Sequence, residues 1–245
     1  MFDAGCGSGY GSAYLADHGA RSVEAFDISS VAIEFDQKHF IRENLHYQVM
    51  SLEEINAFPD RSFDLIYSSN VLEHVPQVVK FFAHSSRILK PDGEMIIAVP
   101  PVVNELSRQN NINNRYHLNI WTPRQWYSVI SQFYEEVEPY CHTFDRPDII
   151  LNFDNTPQET RVTEKDFTFK KCQVEELYII PLLTIIFIAR KPKCGADIPA
   201  GPMSYIENSF TRPYAEPSLE RSSSSLFTKG GKAVRALRTF LKKKL

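Results

Sequence analysis

The chain has 245 residues, 43% hydrophobic and 23% charged, enough for one substantial core with an appendage and too few for two full domains. Its four cysteines, at positions 6, 141, 172 and 194, show neither C-x-x-C pairing nor zinc-type histidine spacing. They argue against a disulfide framework or a structural metal, so no metal is expected and a reducing, cytoplasmic setting is the default. The net charge of -3 divides unevenly, because residues 229–245 carry seven Lys or Arg and no acid, which leaves an acidic body. That body argues against a broad phosphate-binding surface and hence against nucleic acid as a partner. The longest apolar stretch, 177–189, is broken by Pro181 and Thr184 and is too short to span a bilayer.

In chain order, Phe2-Asp3-Ala4 reads as a short central strand running into a glycine loop, and this first strand reads as truncated. Residues 12–18 read as a helix, 22–26 as a strand, and 31–44 as a helix opened by Ser29 and Ser30. Strands follow at 46–50 and 62–68, a helix at 77–89, and a buried strand at 94–99 that ends at Pro100-Pro101. Residues 102–119 are polar and asparagine-rich, and Thr122-Pro123 starts a helix through Phe133. Residues 136–144 and 184–190 read as an antiparallel final pair. Between them, 145–181 is longer than a hairpin needs and contains the strand-like Phe167-Thr168-Phe169, an insertion that either shapes a substrate site or is peripheral.

Prolines at 199, 202, 213 and 217 and the serines at 222–225 mark 194–228 as a linker. Residues 229–245 place Val234, Leu237, Leu241 and Leu245 on one stripe of a basic amphipathic helix. Such a tail is solvated, touches an anionic membrane at its inner face, or meets a nucleic-acid or protein partner.

The loop Asp3-Ala4-Gly5-Cys6-Gly7-Ser8-Gly9 lets the backbone turn from strand to helix and approach a ligand closely. A dinucleotide fingerprint fits poorly, because Tyr10 stands where its third glycine belongs. Asp3 beside the loop repels a pyrophosphate and suits a cation, and S-adenosyl-L-methionine carries an ammonium and a sulfonium. Asp27 lies at the spacing of a carboxylate that accepts both ribose hydroxyls, and it also stands where it can cap the following helix.

D-A-G-C-G-S-G, the acidic end of V-E-A-F-D, the block from Phe58 to Pro76 and R-I-L-K-P-D-G resemble, in order, the class I S-adenosylmethionine-dependent methyltransferases. The resemblance implies an α/β fold: a Rossmann-like, seven-stranded, mostly parallel sheet with helices on both faces, spanning 1–193. It implies that Asp3, Gly5, Cys6, Gly7, Gly9, Asp27, Ile28 and Asn70 hold the cofactor. It also assigns adenine recognition to Ser51 and Leu52, although Ser51 stands where the family usually has an acid.

The segment from Asn70 to Pro76 follows the fourth strand and faces the reacting centre, which makes His74 a candidate general base or else a structural histidine at a helix start. His117, in Y-H-L-N-I-W-T-P, is its rival, with capping and loop packing as the alternative. Trp121, Trp126, Tyr127 and Phe133 are spaced as a helix packing on the sheet. The resemblance implies methyl transfer to an oxygen or nitrogen of a small molecule or glycan. The short first strand raises the alternative of a truncated, weakly active or inactive binding protein.

Overall fold

The computed structural model describes residues 1–146, 163–193, 195 and 210–211. Its parallel half runs β1 (Phe2–Ala4), α1 (Tyr10–Asp17), β2 (Val23–Asp27), α2 (Ser30–His39), β3 (Leu45–Val49), β4 (Phe63–Ser69), α3 (Val78–Ile88) and β5 (Leu89–Val99). There follow α4 (Glu105–Asn113), β6 (Asn119–Ile120), α5 (Pro123–Phe133), β7 (Tyr134–Phe144), β8 (Phe167–Lys171), β9 (Thr184–Pro192) and β10 (Phe210–Thr211).

The main sheet has the order β3-β2-β1-β4-β5-β9-β7-β8. Strands β1 to β5 pair in parallel, whereas β9 is antiparallel to both β5 and β7. The expected class is thus present with one correction: among the described residues the main sheet has eight strands, not seven. The segment around Phe169 does not stay peripheral but pairs antiparallel with β7, from Tyr140↔Lys171 to Phe144↔Phe167.

Side-chain alternation explains why both faces are covered. On β5, Met95, Ile97 and Val99 join the core cluster that contains Phe81 and Phe82 of α3 and Trp126 of α5. Ile96 and Ala98 join the opposite cluster with Leu15 of α1 and Ile33 of α2. β1 is short, yet Phe2 and Ala4 are fully buried and the strand is paired on both sides.

Helix α5 matches its sequence signature. Thr122 and Gln125 form a capping box, Pro123 occupies the first turn, and Trp126, Val129, Ile130 and Phe133 form the buried stripe. Helix α2 stops earlier than its sequence periodicity, because Asn44 Nδ2 donates to Ala16 O and Ala20 O and Arg42 pairs with Asp17, drawing this segment onto the end of α1. The linker assignment needs a partial correction, since Phe210–Thr211 pairs antiparallel with β6. The rest of that linker, apart from residue 195, and the 229–245 helix lie outside the described residues. Among the described residues no helix is long and apolar enough to cross a membrane.

Candidate functional site

The loop after β1 is held from two sides. The amides of Gly5 and Cys6 both donate to Phe26 O at 2.8 Å, which ties the loop to the end of β2. Gly5 has φ +81°, and a Cβ there would lie 2.5 Å from Val71 Cγ2, so the segment after β4 packs directly on it. Gly7 has φ +57°, and a Cβ there would meet nothing within 4 Å. One glycine therefore serves packing, and the other keeps an open backbone face toward a ligand.

Asp27 closes β2. Its Oδ2 accepts from Gly7 N and its Oδ1 from Ser29 N, both at 2.9 Å. The helix-capping role falls to Ser29, whose hydroxyl accepts from Ala32 N. Each carboxylate oxygen of Asp27 retains a second lone pair, so loop bracing and ribose binding are compatible.

Asp3 is 3% exposed, and its Oδ2 accepts from Ser12 Oγ at 2.6 Å. Burial pushes its pKa up to about 7, against the Ser12 bond and with repulsion from Asp27. Asp36, which the sequence did not single out, is fully buried in α2 under Gly9, and its Oδ1 has no hydrogen-bond partner among the described residues. Burial, then Asp27, raise its pKa to about 7 as well. Cys6 Sγ points to Asp36 Oδ2 at 3.8 Å, and burial followed by the surrounding carboxyl groups raises its thiol pKa. Three carboxyl groups, Asp3, Asp27 and Asp36, thus surround the loop, and among the described residues their hydrogen-bond partners include no basic side chain, an environment that favours a cation.

The remaining cofactor candidates are distributed around the same ends of the strands. Ile28 is 73% exposed directly after Asp27. Ser51 caps a 3₁₀ turn, its hydroxyl accepting from Glu53 N at 3.2 Å. The Leu52 side chain is buried in the core, so the backbone is what this residue offers a ligand. Asn70 adopts φ +54° where the chain leaves β4, and its amide donates to Ala98 O.

At the β4 end, the 3₁₀ turn Leu72–His74 is clamped to β6. Leu118 N donates to Glu73 O, and the buried Asn119 Nδ2 donates to both Leu72 O and Val75 O at 2.8 Å. This brings both candidate histidines together, with ring centroids 4.9 Å apart. His74 Nδ1 is 2.7 Å from Tyr116 O, and burial lowers its pKa. His117 Nδ1 is 2.7 Å from Asn111 Oδ1. Glu73, 2% exposed, completes the group, and burial raises its pKa to about 8. Glu73 stands beside His74 in the sequence, but nothing local there shows its carboxylate turning inward. Trp121 and Trp126 are buried in the core, as their spacing predicts.

A family model described as a methyltransferase domain matches residues 2–97. The phosphoethanolamine N-methyltransferase 2 of Caenorhabditis elegans is 30% identical over 101 residues, 40% of this chain and 23% of that protein. The ubiquinone biosynthesis O-methyltransferase of Xanthomonas oryzae pv. oryzae is 31% identical over 100 residues, 40% of this chain and 41% of that protein. The chain thus spans less than half the length of these curated relatives. Among solved structures, a SAM-dependent methyltransferase from Archaeoglobus fulgidus superposes with a TM-score of 0.56 at 17% identity, covering 78% of this chain and 85% of that one.

Proposed function

We propose, from the premise that residues 2–97 belong to the class I S-adenosylmethionine-dependent methyltransferase family, that this chain transfers a methyl group to an oxygen or nitrogen of a small-molecule or glycan acceptor. The observation that carries the reading is the contact between the glycine loop and the segment after β4. Gly7 presents an open backbone face, and Gly5 packs on Val71, two residues before Glu73 and three before His74. A nucleoside-binding loop and a group of polar side chains therefore lie side by side at the carboxyl ends of parallel strands, where open α/β sheets bind ligands.

S-adenosylmethionine, when bound, supplies an electrophilic methyl group on a sulfonium. Asp27 holds the ribose, the backbone of Gly5 to Gly9 follows the ligand closely, and Asp3 and Asp36 set a negative field that suits its two positive charges. Ile28, Leu52 and Ser51 border the adenine. His74 and His117 face the acceptor, and the bond from each Nδ1 fixes the imidazole orientation. Methyl transfer needs mainly alignment, so these residues act chiefly by placing the acceptor atom.

The insertion has a defined point of departure. β7 ends at Phe144, at the same end of the sheet as Val99 of β5, and the chain re-enters at Phe167 of β8. We assign this insertion to acceptor selection and 229–245 to contact with an anionic membrane surface, with 1–193 as the catalytic domain.

Release of S-adenosylhomocysteine in the presence of phenolic, ethanolamine-type and glycosyl acceptors tests the reading. Acceptor-dependent release by the parent chain, lost in Asp27→Ala and strongly reduced in His74→Ala or His117→Ala with cofactor affinity retained, is the expected result. Release that is the same in Asp27→Ala contradicts it.

A further inference from the structure

Glu73 is buried at 2% exposure, and its Oε2 has no hydrogen-bond partner among the described residues. A carboxylate in that position is costly unless something completes its coordination. His74 Nε2 lies 3.8 Å from Glu73 Oε1. One ligand-type atom from each of Glu73, His74 and His117 falls within 4.8 Å of the others.

The hydrogen bonds around the histidines fix their tautomers. Tyr116 O can only accept, so His74 Nδ1 carries the proton and Nε2 carries the lone pair. Asn111 Nδ2 donates to Ser107 O, which orients the amide so that Oδ1 faces His117 Nδ1. His117 therefore also carries its proton on Nδ1 and the lone pair on Nε2. Imidazoles whose far nitrogen is anchored to a carbonyl are the usual arrangement for metal ligation.

We propose that Glu73, His74 and His117 bind one divalent first-row transition-metal ion at the acceptor end of the domain. Two imidazoles and one carboxylate suit zinc, cobalt, manganese or ferrous iron better than magnesium or calcium, which prefer all-oxygen ligand sets. Bonds of about 2.0–2.2 Å draw the three atoms closer together than in the free protein. Three protein ligands leave coordination positions open, and an oxygen of the acceptor takes one of them. This role in the reaction rests on the methyl-transfer reading; the ion site itself does not. It also departs from the expectation of no metal, which considered only cysteine and histidine spacing along the chain.

Cobalt(II) titration of the full chain, followed by its visible absorption, tests the proposal, with calorimetry against zinc(II) and S-adenosylmethionine in parallel. The parent is expected to bind cobalt at one site. Glu73→Gln, His74→Ala and His117→Ala should each weaken it at least about tenfold, and Asn111→Ala, which acts through His117, about 10–100-fold. Unchanged S-adenosylmethionine affinity in Glu73→Gln shows that the variant is folded. Cobalt affinity equal in the parent and in Glu73→Gln, or absent from a folded parent, overturns the proposal. Cobalt binding without any S-adenosylmethionine binding supports the ion site and defeats only its link to methyl transfer.

Discussion

Gly7 and Asp3 show how single residues set up the loop by opposite means. At Gly7 a side chain has room but the backbone conformation is unfavourable, so Gly7→Leu should cost about 1–2 kcal/mol of stability and lose S-adenosylmethionine binding; thermal melting beside calorimetry checks both. At Asp3 burial holds a proton near neutrality, with a pKa of about 7. A cation binding nearby favours the ionised carboxyl, so cofactor affinity should rise between about pH 6 and about pH 8, with a shallower slope in Asp3→Asn because Asp36, also at about 7, titrates in the same window.

His142 gives an independent check of the packing. It is 1% exposed, its Nδ1 lies 2.8 Å from Thr184 Oγ1, and Phe169 stacks on its ring. Burial lowers its pKa to about 4. The unfolded chain then binds the proton more readily between about pH 6.5 and about pH 4, so stability falls as pH falls through that window, by about 3 kcal/mol in all. Asp3, Asp36 and Glu73 shift the other way, so the comparison is the pH dependence of the difference in urea stability between the parent and His142→Asn. A difference independent of pH contradicts the burial of a neutral imidazole. Glycine spacing and Asp27 were legible in the sequence because the loop is local. Asp36 and Glu73 were not, since their inward orientation depends on contacts with Gly9 and with β6.

Elements whose pattern is local were the ones sequence could read. α5 carries its capping box, proline and buried stripe within a dozen residues, and its start and end match. α4 is not legible in the sequence because it buries none of its residues and has no amphipathic period to read, only the Asn104 and Ser107 capping pair. β8 was visible as an aromatic-rich run, but its place beside β7 depends on pairing across the insertion. Replacing 147–162 with a short flexible linker should leave cofactor affinity unchanged and abolish turnover of the preferred acceptor, measured as S-adenosylhomocysteine release. Equal turnover in the shortened chain contradicts a selecting role.

For the whole molecule, the order β3-β2-β1-β4-β5-β9-β7-β8 puts the loops after β1, β2, β3 and β4 at one end of the sheet, and β7 and β9 return their His142 and Thr184 ends to it. Alternating apolar residues and the blocks of the first hundred residues made this architecture readable, while the acceptor end draws on loops distant in sequence. The central claim is that this end holds S-adenosylmethionine. Calorimetric titration of the intact chain with S-adenosylmethionine and, separately, with a nicotinamide dinucleotide tests it most directly. Selective micromolar binding of S-adenosylmethionine, lost in Asp27→Ala, is the predicted result. Binding of the dinucleotide instead, or of neither ligand, contradicts the account.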